Sequence, residues 1–461
     1  MLHPLRRQAA RGSARPDLSA PRLLLSSFAL LIGVGTAGFL LLPGLWVGER
    51  ATFVDALFLA TSAACVTGLS VVDVATRLTV WGQAWLLLLV QLGGLGIVTL
   101  AVLAAAALGR HASLDFEEAV GNPTAVLPNA SPLALVRAIV LTTLAIEAVG
   151  AGALWLAWAD TLGPAPALWP ALFHAVAAFC NAGFSILGPD LAGFATDAPT
   201  LWIVALLVVA GGIGFLVFED LRLRLAGRRR RLTSHSRLVL WTSGVLLVLA
   251  TGLYLLFEAD HALARFGPLD RLSNAVLMAV MPRSGGMQAV DYDQISNPSL
   301  LLTIGLMWVG GSPGSTAGGV KTTTVALIAL LLVARLRGRG EVVIANRSVP
   351  EATVQRAVGL AAGAILIVVA ASFLLSWSEL PATEASDRAH FVRLLFEAQS
   401  ALGTVGLSMG VTRELSPAGR LLVTAMMFLG RVGPLAVLEA MSRRAARRGR
   451  WRLAREDVLV G

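Results

Sequence analysis

Four short stretches of this 461-residue chain carry glycine in the same place: Val66-Thr67-Gly68, Asn181-Ala182-Gly183, Ser284-Gly285-Gly286 and Thr404-Val405-Gly406. The chemistry they offer belongs to the backbone. An extended segment presents carbonyl oxygens, and a ring of carbonyls can replace the hydration shell of a cation. Glycine suits such a segment because it adopts backbone angles other residues resist and leaves no side chain in the path.

The register reaches beyond the glycines. Phe58, Phe173 and Phe396 each lie ten positions before their glycine, with Val276 in the third copy. Gly93, Gly211, Gly310 and Gly430 follow at 25, 28, 24 and 24 residues, and the motif glycines are spaced by 115, 103 and 120. Single helix-breaking turns do not keep two offsets in step four times, so the chain reads as an internal repeat.

The elements that must position these stretches are apolar. Segments of spanning length fall near 21–43, 80–108, 133–159, 199–221, 237–258, 299–334, 357–377 and 418–441. Shorter ones, 53–65, 168–180, 271–281 and 389–402, end at the glycine motifs and cannot cross a bilayer as helices. The expected fold is an all-α polytopic membrane protein. Four span–pore-helix–span repeats would surround one pseudo-fourfold pore, with about eight full transmembrane helices and four re-entrant pore helices. Each half-helix then aims the negative end of its dipole at a central cavity. The expected units are repeats at 21–109, 131–226, 237–337 and 356–442, with basic cytoplasmic tails at 1–20 and 443–461.

Composition agrees: 56% of residues are hydrophobic and 14% charged. The net charge of +9 does not mark a nucleic-acid binder. Basic residues cluster at Arg6–Arg22, Arg222–Arg237, Arg335–Arg356 and Arg443–Arg455, flanking apolar spans, where arginine marks the cytoplasmic side and meets anionic lipid. Acidic residues recur in the opposite loops (Asp190, Asp197, Asp291, Asp293, Glu379, Glu384, Asp387), so both termini read as cytoplasmic. Cys65 and Cys180 both lie in apolar stretches and give no disulfide framework. No metal-ligand spacing occurs, and the apolar run after residue 22 reads as an uncleaved first span.

One apolar stretch, Leu300 to Ala334, is interrupted by Gly310–Thr324: Gly-Gly-Ser-Pro-Gly-Ser-Thr-Ala-Gly-Gly-Val-Lys-Thr-Thr-Thr. It is not a phosphate-binding loop. Val320 separates Gly319 from Lys321, and a membrane span stands where a strand is required. Irregular backbone at membrane depth must be buried in protein or line a water-filled cavity. Its position, 24 residues after the third glycine, places it below the ring on the cytosolic side as a movable barrier.

The chain resembles the Trk/Ktr/HKT potassium transporter superfamily, and within it the KtrB-type membrane subunit. The resemblance rests on Cys65-Val66-Thr67-Gly68-Leu69, Asn181-Ala182-Gly183-Phe184, the insert, Glu341–Arg347, Gly403-Thr404-Val405-Gly406-Leu407-Ser408 and Gly430-Arg431-Val432-Gly433-Pro434. It covers nearly the whole chain from about residue 21. It implies potassium uptake across a bacterial plasma (inner) membrane, with no enzymatic activity. It also implies a homodimer with one pore per subunit and a cytosolic nucleotide-binding regulatory ring. The implied filter is formed by Val66, Thr67, Gly68, Asn181, Ala182, Gly183, Ser284, Gly285, Gly286, Thr404, Val405 and Gly406. The implied gate comprises Gly310, Gly311, Ser312, Pro313, Gly314, Ser315, Thr316, Ala317, Gly318, Gly319, Lys321 and Arg431. No resident cofactor is implied; K+ is the transported ion, with Na+ as an activating or coupling ion. In relatives a serine at the first filter glycine accompanies sodium permeation, and all four positions here are glycine. The third motif departs from the family's Arg-Thr-Ala-Gly-Phe-Asn: Arg283 is kept, but Ser284-Gly285-Gly286-Met287-Gln288 follows.

Charges inside spans need partners or water. Arg431 either pairs with a carboxylate such as Glu439 or projects into the cavity beneath the ring, against the insert. Lys321, the only lysine, is expected to position the insert. Glu147, His174, Glu397, Asp55 and Asn274 are expected to brace the half-helices, and Asp73 and Asp291 to concentrate cations at the mouth. Glu219-Asp220 reads as a solvated span end. A secondary transporter with a midplane site for another small cation or solute is the alternative class. No span carries the arginine periodicity of a voltage sensor, and no catalytic set supports an enzyme.

Overall fold

In the computed structural model the described residues are 20–107, 132–188, 190–228, 230–344, 347–380 and 388–433. The expected tails, Glu384, Asp387 and Glu439 lie outside them. The regular structure of the described residues is helical except for one two-stranded ribbon, in which Val343 pairs Ser348 and Ile344 pairs Arg347.

The half-helices run Phe53–Ala64, Pro164–Phe179, Pro268–Val280 and Arg388–Gly403. Three begin with proline within the first turn or an N-cap: Thr52 accepts the Asp55 amide, while Pro164 and Pro268 follow Gly163 and Gly267. Alanine recurs through their last two turns, joined by Thr61, Ser62 and Ser400, and nearly all the residues there are buried. Small side chains let the four helices converge.

Each is preceded by a long helix: Ala20–Leu41, Pro132–Leu162, Ser234–Phe257 and Glu351–Ser378. All four contain stretches long and apolar enough to cross a membrane. They turn large apolar side chains outward, among them Val149, Leu156, Val248, Leu256, Val369 and Phe373, while histidine, glutamate and serine lie inside. Soluble proteins show the reverse pattern. This is a multi-pass membrane protein.

The inner segments are less regular than eight uniform spans. Val80–Ala107 is continuous. Ala198–Ile213 and Phe215–Leu225 meet at 96°, with Gly214 at φ 95 between them. The third segment is split into Asn297–Trp308 and Thr322–Leu336 around the insert, and the fourth helix, Pro417–Val432, stops at Gly433 with φ 91. Gly214 and Gly433 each stand three residues after the recurrent inner glycine, a local signal for a break that apolarity alone hides.

Those inner glycines explain the repeat's second offset. A Cβ on Gly93 would lie 2.0 Å from the Ala64 carbonyl oxygen, one on Gly211 1.8 Å from that of Phe179, and one on Gly430 2.0 Å from that of Leu402. All three carbonyls sit four residues before their motif glycine. In the third copy Gly310 meets the Gly318 carbonyl at 1.9 Å instead, so the insert occupies the place the half-helix takes elsewhere.

Polar ties link successive quarters of the molecule. Trp169 Nε1 donates to Gln83 Oε1 at 2.8 Å, and Asn274 Nδ2 to the Ala195 carbonyl at 2.7 Å. Arg393 pairs with Asp293 at 2.7 Å, and Arg420 with Asp55 at 2.6 Å, which joins the last quarter to the first.

We expect Gly93→Ala, Gly211→Ala and Gly430→Ala each to destabilise the detergent-solubilised protein by about 1–3 kcal/mol through overpacking. Gly152→Ala, on an open helix face with nothing within 4 Å, should leave the melting temperature unchanged or slightly raised. Equal melting curves for all four variants would show that the close approach is not required.

Candidate functional site

The first residue of every motif has positive φ: Val66 57, Asn181 60, Ser284 71 and Thr404 47. So does the third: Gly68 98, Gly183 67, Gly286 73 and Gly406 96. For β-branched Val66 and Thr404 this is strained, at about 1–3 kcal/mol each. The strain is held by amides turned back onto the half-helix. Val66, Thr67 and Gly68 donate to the Ala63 carbonyl (3.1 Å), the Ser62 carbonyl (2.8 Å) and Ser62 Oγ (3.1 Å). Thr404, Val405 and Gly406 repeat the pattern on Ala401 (3.2 Å), Ser400 (2.8 Å) and Ser400 Oγ (3.1 Å). Three bonds at about 0.5–1.5 kcal/mol each match the strain of one such residue and leave little surplus, so burial must secure the rest.

The four motifs meet. Built onto Gly68, a Cβ would stand 2.7 Å from the Gly183 Cα; on Gly183, 3.0 Å from that of Gly286; on Gly286, 3.2 Å from that of Gly406; on Gly406, 3.3 Å from that of Gly68. The ring closes. The same built atoms fall 2.5 Å from the Ala182 oxygen, 2.3 Å from that of Val405 and 2.2 Å from that of Thr67. Middle-position carbonyls therefore converge where side chains would otherwise stand. With their amides used behind, these oxygens can offer lone pairs to a cation on the axis.

The third motif is built differently. Its half-helix ends earlier, and both Gly285 and Gly286 donate to the single Met281 carbonyl, at 2.8 and 3.2 Å. The Ser284 hydroxyl reaches across to the fourth motif, donating to the Thr404 carbonyl (3.0 Å) and lying 3.3 Å from that of Gly403.

On one side of the ring opens a vestibule of about 650 Å³, lined by all four motif glycines and by Asp73, Asp190, Asp291 and Asp293, with Arg413 among the lining residues. Asp73 also caps a helical turn through the Ala75 amide at 3.0 Å, and Asp291 accepts the Asp293 amide at 3.0 Å. Asp190 accepts the Gln288 amide at 2.7 Å and ties the second segment to the third. Burial pushes its carboxyl from the ordinary 3.8 up to about 7. His174 and Glu397, expected to brace from behind, hold matching serines two residues past their glycines. His174 Nε2 lies 2.9 Å from Ser185 Oγ, and Ser408 Oγ donates to Glu397 at 2.8 Å. Glu147 takes a hydrogen bond from Gln91 at 3.2 Å between the first two quarters.

On the other side of the ring lies the insert, non-helical from Val309 to Lys321. Ser312 and Thr316 donate their amides to the Gly212 and Gly211 carbonyls (2.9 and 3.2 Å), and Thr316 Oγ1 donates to the Phe179 carbonyl at 3.1 Å. Lys321 Nζ donates to the Ala317 carbonyl at 2.9 Å. Arg431 is 4% exposed; its guanidinium donates to the Thr316 carbonyl and, at 2.8 Å, to that of Gly93. It makes no ion pair among the described residues, and Glu439 lies outside them. Two charge-assisted bonds at about 1.5–3 kcal/mol each offset the roughly 2.5–3.5 kcal/mol cost of arginine at membrane depth. Its positive charge lies beside the insert. Glu219 and Asp220, expected to be solvated, are buried: Glu219 pairs with Arg222 at 3.3 Å, and Asp220 accepts the Thr233 amide at 2.8 Å. This correction has a local cause, since the bend at Gly214 turns their helix back under the protein.

Known proteins share this architecture. The family model for TrkH, a cation transport protein, matches residues 8–445. The chain is 34% identical to the potassium/sodium uptake protein NtpJ of Enterococcus hirae, over 97% of this chain and 98% of that one. It is 35% identical to the Ktr system potassium uptake protein B of Bacillus subtilis, over 90% and 91%. The crystal structure of the potassium transporter TrkH from Vibrio parahaemolyticus superposes with a TM-score of 0.74 at 17% identity, covering 94% of this chain and 87% of that one, and so shares the fold.

A raised folded-state pKa makes Asp190 costlier to the fold as pH rises from about 4 to about 7, because the unfolded chain ionises first. We expect wild-type thermal stability to lose a component across that interval and Asp190→Asn to lack it. Parallel pH profiles would refute the assignment. The match over residues 8–445 and the identities above 30% place the chain in the TrkH family of cation transport proteins.

Proposed function

We propose that the chain takes up potassium through the ring of motif carbonyls, with the insert and Arg431 as the gate. The carrying observation is the closed contact of Gly68, Gly183, Gly286 and Gly406, with the Thr67, Ala182 and Val405 oxygens converging on it. A potassium ion shedding water at the vestibule would exchange it for these carbonyls, drawn by the negative ends of four half-helices. Sodium holds its water more tightly and so loses more on exchanging it for carbonyls. The names of the relatives, potassium uptake for one and potassium/sodium uptake for another, support potassium as cargo and leave sodium a part as activating or coupling ion.

The twelve motif residues form the filter in this reading, and the four span–half-helix–span units are repeats around one pore. The insert blocks the cytosolic side. Arg431 anchors it between Thr316 and Gly93, and its charge opposes cation passage. Arg222, Arg224 and Arg335 stand at the far ends of the helices that follow Gly214 and the insert, which supports a bacterial inner-membrane orientation with those ends cytoplasmic. The functional unit in this reading is a homodimer on a cytosolic nucleotide-binding ring, in contact with anionic lipid.

Cells lacking their own potassium systems, given this chain and a regulatory partner, should grow at low potassium; sodium is added or withheld to expose coupling. No rescue under either condition would refute the reading. Gly406→Ala, whose Cβ would meet the Thr67 oxygen at 2.2 Å, should cut uptake more than about tenfold. Arg431→Ala should raise potassium leak in the absence of the regulator by about tenfold or more, for the loss of two charge-assisted bonds. Wild-type flux and regulation in Arg431→Ala would remove the arginine from the gate.

A further inference from the structure

The third motif departs from the other three, and its side chain lies where filter and insert meet. Ser284 is 1% exposed. Its Oγ lies 3.0 Å from the carbonyl oxygen of Thr404, the first residue of the fourth motif, and 3.3 Å from that of Gly403, the last residue of the preceding half-helix. The same oxygen accepts the Gly318 amide of the insert at 3.3 Å. A hydroxyl has one proton and two lone pairs. With the amide of Gly318 pointing at its oxygen, the proton is directed to the nearer acceptor, Thr404. The result is a chain from the Gly318 N–H through the Ser284 O–H to the Thr404 carbonyl, in which each bond polarises the next.

The surroundings favour this direction. A Cβ on Gly318 would lie 2.1 Å from Thr404 Oγ1, so insert and fourth motif are in direct contact. Thr404 Oγ1 is itself buried without a hydrogen-bond partner among the described residues. The inner rim of the ring thus holds an unused hydroxyl oxygen and a carbonyl engaged by Ser284, both against the insert. No other motif has a side-chain hydroxyl that bonds both the insert and a neighbouring motif: position one is Val66, Asn181 and Thr404 elsewhere.

We propose that Ser284 couples the seat of the insert to the selectivity of the ring. With the insert seated, Gly318 fixes the Ser284 rotor, and the hydroxyl ties the insert to the Thr404 carbonyl. When the insert leaves, Ser284 keeps its bond to the Thr404 carbonyl and holds that oxygen in place for a dehydrating cation, while the Thr404 hydroxyl becomes available. Ser284 acts through Thr404 and Gly318, so it is a positioning residue. The proposal rests on the filter-and-gate reading above.

The experiment reconstitutes the full chain with its regulatory partner in liposomes. It measures the potassium-to-sodium flux ratio in the active state and the potassium leak in the inactive state. Ser284→Ala should lower the ratio and raise the leak, each by about fivefold, the worth of one neutral hydrogen bond. Ser284→Thr, which keeps the hydroxyl, should restore both to within about twofold, and Ser284→Cys, a weaker donor, should fall between. Ser284→Ala with wild-type ratio and leak would overturn the proposal. So would Ser284→Thr behaving as Ser284→Ala, since volume rather than the hydroxyl would then matter. If Ser284→Ala does not yield a monodisperse protein, the Cys and Thr pair carries the test. Gly286→Ala, whose Cβ would meet the Val405 oxygen at 2.3 Å, separates the two levels. Blocked flux there with a silent Ser284→Ala overturns the coupling alone, whereas free flux in Gly286→Ala overturns the filter reading and the coupling with it.

Discussion

The constraint on which the rest depends is the reversal of the chain at the end of each half-helix. A helix end leaves carbonyls without amide partners, and the motif that follows supplies amides to them. Val66, Thr67 and Gly68 give theirs to the turn they have just left, as do Thr404, Val405 and Gly406. Their own carbonyls are then free to face away from the half-helix. The arrangement needs positive φ at the first and third positions, which glycine tolerates at the third and Val66 or Thr404 must be forced to accept at the first. Burial and four-way contact supply that force.

Because each motif is strained alone, the ring is stable only as a closed set. The neighbouring Cα atoms leave no room for a side chain, and the ties from Gln83 to Trp169, Ala195 to Asn274, Asp293 to Arg393 and Asp55 to Arg420 hold the quarters together around the rim. The glycine-to-carbonyl contacts of Gly93, Gly211 and Gly430 then fix the inner helices against the half-helix ends. One consequence is asymmetry. Where Gly310 packs against Gly318 instead, the third inner segment is relieved of its half-helix and can carry the insert under the ring.

The electrostatics follow the same geometry. One side of the ring is an open vestibule lined by Asp73, Asp190, Asp291 and Asp293, some of them engaged in caps or ion pairs. The other side holds a buried arginine bound to two carbonyls. Carbonyl partners matter here because they stabilise the guanidinium without cancelling its charge. A carboxylate in the same place would have made Arg431 a neutral packing element.

Much of this was legible in the residues. The offsets from Phe58 to Gly68 to Gly93, and their counterparts, marked where each glycine motif follows its half-helix, since hydrophobic length and glycine spacing are local properties. His174 and Glu397, nine residues before their glycines, were legible as braces for the same reason, although Ser185 and Ser408 as the groups they hold were not. Apolarity concealed the bend at Gly214 and the burial of Glu219 and Asp220, because a broken span is as hydrophobic as a straight one. Only the tertiary structure decided which carbonyls converge, that Arg431 meets the Thr316 and Gly93 carbonyls, and that Ser284 bridges Thr404 and Gly318. Those contacts join residues more than thirty and up to several hundred positions apart, and no local pattern encodes the close packing that brings them together.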